Sequence, residues 1–272
     1  LAALQVFGLL DAELVGVPSD ADGLCWPLPP RAAGAKLVYV VSNFSNPSGV
    51  TLSRERRLAL LRWATEHRVF VIEDDPYGEL RSEGAPVPAL VTLAREVPGA
   101  SDWCGYVSTL SKILSPGLRL GFLLLPPWLR GAVERIKQAM DLHTATLNQA
   151  IAARYLETGR LSGFLARARG LYGERCEALS AALRDQFGDS VRFNRPQGGL
   201  FLWAELDPSI DSARLLSVAR DEGVIFVPGE AFYAADPPRH ALRLSYSSAN
   251  PDELVEAVSR LRRAMVRAGL IA

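Results

Sequence analysis

A buried strand, an amphipathic helix and a second buried strand follow one another early in this 272-residue chain, and this pattern constrains the fold most. Residues 36–41 (KLVYVV) form a short, β-branched apolar run, which is typical of a strand covered on both faces. From Ser53 to His67 apolar residues recur at helical spacing, and Ser53 or Thr51 can serve as the N-cap. Residues 69–72 (VFVI) predict the second strand. Together they predict a right-handed parallel crossover.

Two further strands are predicted on either side of a Ser-rich loop. They cover residues 106–109 and 118–125, and the loop between them contains Lys112. The first half of the chain is therefore predicted to be α/β, with polar residues concentrated where strands end. In open α/β sheets that edge is where ligands bind.

The second half of the chain has a different pattern. Helices are predicted over residues 128–140 and 148–157, followed by a long helix that Gly188 closes. After it, short strands alternate with helices, which predicts a second, α+β domain that begins near residues 160–170. The predicted strands cover residues 191–193, 200–205, 224–226 and 242–246, and the predicted helices cover 212–222 and 252–268.

Composition excludes several classes of protein. Lys plus Arg equals Asp plus Glu, at 30 each, so no overall field attracts nucleic acid or an anionic membrane. The apolar run at residues 120–125 is too short to span a bilayer. The three cysteines form no CxxC pair and have no histidine at ligand spacing, so neither a disulfide framework nor a metal site is expected. A cytoplasmic protein is the simplest expectation.

Lys112 is the residue with the most specific chemical potential. A lysine that forms a Schiff base must lose its proton, which requires desolvation or neighbouring positive charge. Thr109 and Ser111 offer hydroxyls and Arg119 offers a guanidinium, the combination that binds a phosphate monoester. A lysine in a Ser-rich turn is, by itself, more often a solvated surface residue.

Three residues at other strand ends could complete a cofactor site. Asp74 and Tyr77 follow the second strand, and a carboxylate there can keep a pyridinium nitrogen protonated. Asn46, in the sequence Asn-Pro-Ser-Gly after the first strand, can donate to a phenolate oxygen. Each motif alone is also consistent with an ordinary turn or an acidic strand end facing water. Their order and shared placement at strand ends favour a site.

The chain resembles the fold type I, class I/II aminotransferases, which depend on pyridoxal 5'-phosphate. The resemblance covers essentially the whole chain and is most similar to the branch of the 2-aminoadipate aminotransferases and the effector domains of MocR regulators. Its motifs occur in the family's order: residues 46–49 (NPSG), 74–77 (DDPY), 111–112 (SK) with 116–121 (PGLRLG), and 243–246 (RLSY).

The resemblance implies a role for each of these positions. Lys112 would form the Schiff base and shift the proton, and Asp74 would pair with the pyridine nitrogen. Asn46 and Tyr77 would hold the ring oxygen, and Asn46 would also border the substrate. The phosphate would be bound by Thr109, Ser111 and Arg119. Arg243 would bind the α-carboxylate of the substrate, a role that suits its planar bidentate fork.

The resemblance also implies the architecture. It predicts a three-layer α/β/α cofactor-binding domain with a mostly parallel sheet over residues 1–160, and a smaller α+β domain over residues 161–272. Family chains begin well before Leu1, so we expect the large domain to be incomplete at its N-terminus. We also expect residues 5–18 to form a helix and a strand.

The function that follows is an aminotransferase that moves an amino group between an α-amino acid and a 2-oxo acid. The resemblance implies a homodimer whose subunits complete each other's sites. The alternative is a cofactor-binding effector domain of a MocR/GntR-type transcriptional regulator, which requires a DNA-binding module upstream. A different reaction of the same cofactor remains a third possibility, because fold does not fix reaction type.

Overall fold

The computed structural model describes residues 2–271, which contain eight α-helices and ten strands besides short 3-10 turns. The helices are α1 (Ala2–Leu9), α2 (Arg54–His67), α3 (Leu90–Leu93), α4 (Pro127–Asp141), α5 (Thr146–Glu157), α6 (Leu161–Phe187), α7 (Ser212–Asp221) and α8 (Pro251–Arg267). The strands are β1 (Ser19–Asp20), β2 (Gly23–Leu24), β3 (Leu37–Val41), β4 (Phe70–Asp74), β5 (Cys104–Thr109), β6 (Gly121–Leu124), β7 (Arg192–Phe193), β8 (Phe201–Glu205), β9 (Val227–Pro228) and β10 (Ala241–Ser245).

These elements divide into two units. The first, the α/β unit, comprises residues 19–43 and 51–169, and the second, the C-terminal unit, comprises residues 2–18, 44–50 and 170–271. The sequence predicted one boundary after residue 160. In the structure the boundary lies inside α6, and the loop at 44–50 belongs with the C-terminal unit.

The sheet of the α/β unit has the order β3-β4-β5-β6. The strands β3, β4 and β5 are parallel and in continuous register, with Asp74 opposite Val41 on one side and Val107 on the other. Only β6 is antiparallel, as expected for a chain that returns directly through the loop at 110–120. An α/β fold with a mostly parallel sheet is thus confirmed.

Helix α2 is the crossover between β3 and β4, and its ends follow from local chemistry. The Ser53 hydroxyl accepts a hydrogen bond from the Arg56 amide (3.4 Å), so Ser53, rather than Thr51, is the N-cap. Arg68 closes the helix in a left-handed conformation (φ 55°). The buried face consists of Arg57, Leu58, Leu60, Leu61 and Ala64, so the predicted apolar spacing is confirmed, with one arginine inside it.

The C-terminal unit is built on an antiparallel sheet with the order β7-β8-β10-β9. Side chains alternate along the two central strands: Leu202, Ala204, Leu242 and Leu244 enter the core, which α6, α7 and α8 cover. Helix α8 begins with a capping box in which Asn250 and Glu253 satisfy each other's backbone amides. The predicted α+β organisation is therefore observed.

Two sequence predictions were wrong in detail. The predicted strand at 224–226 is displaced, because the Val224 amide bonds to the Ala219 carbonyl (3.0 Å) at the end of α7, and pairing starts only with β9. Over residues 5–18 the helix α1 is present but the described chain has no strand there. The turn at Asp11 (φ 50°) ends the helix, and residues 12–18 pair with neither sheet.

Within residues 2–271 the structure has neither a membrane-spanning helix nor a cluster of metal-ligand residues. No helix in this range is both long and apolar enough to cross a membrane. The same residues contain no cluster of three or more His, Cys, Asp or Glu side chains that could hold a metal ion.

Candidate functional site

Asp74 is the last residue of β4, in the middle of the parallel part of the sheet. Its carboxylate accepts a hydrogen bond from the Tyr39 hydroxyl on β3. Burial raises the pKa of Asp74, and the bond from Tyr39 acts in the opposite direction. Burial also raises the pKa of Tyr39, so its hydroxyl keeps its proton and donates a hydrogen bond to Asp74. A half-buried carboxylate held by one donor can accept a second, cationic N–H.

Glu73, the residue before Asp74, lies on the opposite face of the strand and belongs to a buried ion pair. Its Oε1 is 3.2 Å from Nη1 of Arg57, and both side chains are fully buried. Oε1 also accepts from the Ser42 hydroxyl (2.5 Å), and Oε2 accepts from the Leu90 amide (2.7 Å). Burial raises the pKa of Glu73 and lowers that of Arg57, and the opposite charge of each partner counteracts the shift.

Arg57 extends this pair into a network of backbone contacts. Its Nε donates to the Leu52 carbonyl (2.9 Å), and Nη2 donates to the Ser42 carbonyl (2.9 Å) and to Oδ1 of Asn43 (2.7 Å). Nη1 donates to the Pro88 carbonyl (3.0 Å). The guanidinium therefore ties the ends of β3 and β4 to the start of α2. The sequence pattern did not predict this network, because Arg57 follows three other charged residues and only the packing of α2 makes it the buried one.

The turn that carries Tyr77 is fixed by Asp75. The Asp75 carboxylate accepts from the Gly78 amide (2.9 Å), and its carbonyl accepts from the Ser108 hydroxyl on β5 (2.7 Å). Position 78 must be glycine, because a Cβ there would lie 2.5 Å from the Asp75 carboxylate. Tyr77 itself is buried, with 6% of its surface exposed. The motif is thus a rigid turn as well as a potential ligand site.

Thr109 and Ser111 come together at the end of β5. Their hydroxyls are 2.9 Å apart, the Ser111 amide donates to the Thr109 hydroxyl (3.0 Å), and that hydroxyl donates to the Leu120 carbonyl (2.8 Å). Lys112 follows directly, in a turn closed by the bond from the Leu114 amide to the Leu110 carbonyl (2.9 Å). The Lys112 side chain is exposed, so the desolvation that sequence reasoning expected is not provided by the described residues.

Arg119 differs from the sequence prediction in its surroundings. Residues 116–118 form a 3-10 turn instead of the start of a strand, and Arg119 is left-handed (φ 53°), so β6 begins only at Gly121. The guanidinium is exposed and donates to the Pro116 carbonyl (3.3 Å). The loop places a cationic side chain after the hydroxyl pair, on the same connection between β5 and β6.

Asn46 and Arg243 meet in the C-terminal unit. Nη1 of Arg243 donates to Oδ1 of Asn46 (2.8 Å), across 197 positions of the sequence. The Arg243 guanidinium also lies over the ring of Phe201, with its Cζ 4.0 Å from the ring centroid, and 5.1 Å from the centroid of Phe232. Neither phenylalanine is among the residues predicted for the site from the sequence.

Close backbone packing brings the loop at 44–50 to β8. A Cβ on Gly199, which has φ +77°, would lie 2.6 Å from the Cβ of Phe44. A Cβ on Gly49, which has φ +71°, would lie 3.1 Å from the Phe201 carbonyl. Gly199 and Gly49 thus allow this loop and β8 to pack closely.

The predicted site residues therefore form two groups. Asp74, Tyr77, Thr109, Ser111, Lys112 and Arg119 belong to the α/β unit, whereas Asn46 and Arg243 belong to the C-terminal unit. In the first group Asp74 and Thr109 end the adjacent parallel strands β4 and β5, so they share one edge of the sheet.

The residues of this first group match the chemical needs of pyridoxal phosphate. That cofactor requires an anion for its pyridine nitrogen, hydroxyl and cationic donors for its phosphate, and a primary amine. Asp74, the hydrogen-bonded hydroxyls of Thr109 and Ser111, Arg119 and Lys112 supply all of them at one sheet edge. The residues present fit the cofactor.

Comparison with known proteins agrees with this chemistry. The family model described as aminotransferase class I and II matches residues 5–261. The 2-aminoadipate transaminase of Thermus thermophilus is 36% identical over 272 residues, which are 97% of this chain and 67% of that protein. The regulatory protein MocR of Rhizobium meliloti is 30% identical over 256 residues, which are 94% of this chain and 50% of the regulator. The chain thus spans 50% to 67% of the length of these two relatives.

A solved structure matches the whole chain. The kynurenine aminotransferase of Pyrococcus horikoshii, in complex with PMP, superposes with a TM-score of 0.92 at 35% identity. The match covers 100% of this chain and 68% of that one.

Proposed function

Because the chain belongs to the class I and II aminotransferases, we propose that the whole protein moves amino groups between an α-amino acid and a 2-oxo acid, with pyridoxal phosphate bound at Lys112. One observation carries the proposal within the structure. Asp74 and the Thr109–Lys112 segment follow two adjacent parallel strands, so the pyridine ligand, the phosphate ligands and the amine converge on one sheet edge.

Each residue of the α/β unit has a distinct task in this proposal. Asp74, as an anion, keeps the pyridine nitrogen protonated, and Tyr39 holds its carboxylate in place. Thr109, Ser111 and Arg119 bind the phosphate, and Tyr77 borders the ring oxygen together with Asn46. When bound, the cofactor supplies the electron sink for the negative charge that develops at Cα of the amino acid.

Lys112 and Arg243 act on the substrate. The amine of Lys112 would hold the cofactor covalently and, when free, would take the proton from Cα of the substrate. Arg243 binds the α-carboxylate in the plane of its guanidinium, and the amide of Asn46 fixes one edge of that plane. Candidate donors are 2-aminoadipate and branched-chain or aromatic amino acids, with 2-oxoglutarate as acceptor.

The attachment residue can be tested chemically. Borohydride reduction of the whole protein with its cofactor, followed by peptide mapping, should place a pyridoxyl group on Lys112. The Lys112→Ala variant should bind the cofactor without a covalent bond and lose activity by a factor of about 10² to 10⁴. Arg130→Ala, an exposed cation outside the site, is the matched control and should retain activity. Pyridoxyl label on a different lysine would refute the assignment.

The regulator alternative makes a different prediction for the same protein. An effector domain would bind an amino acid at the cofactor without releasing a 2-oxo acid. Mixing the whole protein with a candidate amino acid and measuring the 2-oxo acid by mass spectrometry distinguishes the two functions. Formation of one oxo acid per bound cofactor, followed by turnover when 2-oxoglutarate is added, supports the aminotransferase.

We also propose that the protein is a cytoplasmic homodimer. Its three cysteines are free, as expected in a reducing compartment. Helix α4 has no buried residue and exposes Ile136 and Met140, and β6 exposes Phe122 and Leu124, so a large apolar surface is available to a second copy. Sedimentation equilibrium of the whole protein should give twice the mass of its chain.

A further inference from the structure

Arg243 is positioned by two aromatic rings that belong to the same unit. It lies on β10, a central strand of the sheet, where it pairs with Trp203 of β8 and Val227 of β9. Its neighbours Leu242 and Leu244 point into the core, so the Arg243 side chain emerges on the other face. Phe201 emerges on that face too, diagonally across from Arg243, because its own partner in β8–β10 pairing is Ser245.

The guanidinium lies over the ring of Phe201 and close to the ring of Phe232. The Cζ of Arg243 is 4.0 Å from the Phe201 centroid, within the range of a strong cation–π contact, and 5.1 Å from the Phe232 centroid. Phe232 is held in turn by Trp203, whose ring meets it edge-on at 6.0 Å. The contact with Trp203 therefore restricts the rotation of the Phe232 ring.

Stacking and carboxylate binding use different parts of a guanidinium. Its faces interact with aromatic rings, whereas its N–H donors lie in the plane and point outward. A ring that stacks on a face of a guanidinium leaves its in-plane edge for hydrogen bonds, and Nη1 of Arg243 makes one to Asn46 (2.8 Å). A carboxylate that binds bidentately must lie in the same plane, so the rings select the orientation of the incoming α-carboxylate.

We propose that Phe201 and Phe232 are positioning residues that orient Arg243 for the α-carboxylate of the substrate, with Phe201 the stronger of the two. This inference rests on the proposed function, because it assumes that Arg243 binds a carboxylate. It adds that the affinity for that carboxylate depends on aromatic rings that do not touch it. Phe201 is the stronger because its centroid is closer to Cζ.

The test measures carboxylate binding directly. The probe is 3-phenylpropanoate, which has a carboxylate and an apolar body but no amino group, titrated calorimetrically into the whole protein with its cofactor. Phe201→Leu removes the ring at similar volume and should weaken binding about tenfold, and Phe232→Leu should weaken it about threefold. Phe201→Tyr keeps the ring and should bind within about twofold of the unsubstituted protein.

Steady-state kinetics separates positioning from general damage. Phe201→Leu should raise KM for the amino acid by about the same tenfold factor and leave kcat within about twofold, because binding of the carboxylate is equal in ground and transition states. Phe193→Leu is the matched control, since Phe193 packs against the core of the same sheet. It should change thermal stability without changing KM.

Failure of the inference and failure of the proposed function give different results. If Arg243→Gln binds 3-phenylpropanoate as well as the unsubstituted protein does, Arg243 does not bind the carboxylate. The same conclusion follows if the unsubstituted protein does not bind 3-phenylpropanoate. In either case the inference and the proposed role of Arg243 are both refuted. If Arg243→Gln abolishes binding while a folded Phe201→Leu binds normally, the proposed function stands and the aromatic positioning is refuted. Normal binding by Phe201→Leu cannot arise from misfolding, and the Phe201→Tyr and Phe232→Leu variants repeat the test independently.

Discussion

Asp74 and Arg243 are both charged residues at a proposed site, but the two units of the molecule hold them in different ways. The α/β unit fixes Asp74 through polar contacts: Tyr39 on its own face, and the buried Arg57–Glu73 pair on the opposite face of the same strand end. In the C-terminal unit Arg243 contacts two aromatic rings and the side-chain amide of Asn46.

The difference follows from the kind of backbone that surrounds each residue. The chain leaves β3 at Ser42 and approaches α2 at Leu52, and the buried carbonyls of both residues need donors, which the Arg57 guanidinium supplies. Arg243 lies in mid-strand of an antiparallel sheet, where both neighbouring strands satisfy its backbone. The position of Asp74 therefore depends on charged and polar partners, whereas the position of Arg243 also depends on the shape of the aromatic rings beside it.

The largest expected effect comes from breaking the polar network. Arg57→Met leaves the Glu73 carboxylate buried without its cation, which should lower the free energy of unfolding by about 3 to 5 kcal/mol. The double variant Arg57→Met/Glu73→Leu removes both charges and should be more stable than Arg57→Met. Urea unfolding of the whole protein measures both.

Arg243→Met is the counterpart in the other unit. It removes the hydrogen bond to Asn46 and the contact with the Phe201 ring, and it should lower the free energy of unfolding by only about 1 kcal/mol, because β10 keeps its pairing with both neighbouring strands. Equal destabilisation by Arg57→Met and Arg243→Met would contradict the distinction between the two units. So would a double variant that is no more stable than Arg57→Met alone.

An intermediate effect is expected at Gly199. Gly199→Ala puts a Cβ 2.6 Å from the Cβ of Phe44 and strains a residue with φ +77°, at a cost of about 2 kcal/mol. It should also displace the loop at 44–50, separate Asn46 from Arg243, and weaken binding of 3-phenylpropanoate about tenfold.

Gly188→Ala provides the control for this change. Gly188 also has positive φ (+52°), but a Cβ there meets no atom within 4 Å. The variant should carry the backbone strain, about 1 kcal/mol, and leave carboxylate binding unchanged. If both variants weaken binding equally, the contact with Phe44 does not position the loop.

The smallest expected effect concerns Tyr39 and depends on pH. Burial holds the pKa of Asp74 above its ordinary value of 3.8, so the folded state keeps this proton at higher pH than the unfolded state. The stability that Asp74 contributes is thus fully present below that ordinary value and is lost as the pH rises through the folded pKa. Tyr39→Phe removes the bond that favours the carboxylate, raises the pKa further and should deepen this loss by about 1 kcal/mol.

Urea midpoints of the cofactor-free protein between about pH 4 and 7 measure the effect, since that range spans the ordinary pKa and values above it. Tyr39→Phe/Asp74→Asn should remove the pH dependence that distinguishes Tyr39→Phe from the unsubstituted protein. A difference that persists in the double variant would mean that Tyr39 acts through another group.

Local patterns predicted most of the elements. The apolar runs of β3 and β4, the spacing of α2 and its cap at Ser53 are local properties, and the structure has them close to the predicted bounds. Boundaries failed where a contact between elements competes with the strand pattern. At residues 224–226 the Val224 amide bonds to the end of α7 and is not available to a neighbouring strand. At residues 116–119 a 3-10 turn and a left-handed residue precede β6, which therefore begins later than predicted.

For the candidate site, the sequence predicted which residue types follow which strands, but not which side chains contact one another. Asp74, Thr109 and Lys112 follow strands, and strand ends of a parallel sheet share an edge, so their grouping could be expected from the chain alone. Arg57 opposite Glu73 could not, because it joins a helix to a strand 16 residues away and depends on which helix face is buried.

The sequence by itself determined the alternation of strands and helices, the polar strand ends and the chemical types available to a cofactor, because these depend on neighbours within a few residues. Only the tertiary structure decided which side chains meet. Asn46 reaches Arg243, Phe201 covers its guanidinium, and Gly199 admits Phe44, through contacts that span up to 197 positions. Such contacts depend on the register of the sheet and the space left between loops, and neither is encoded by spacing along the chain.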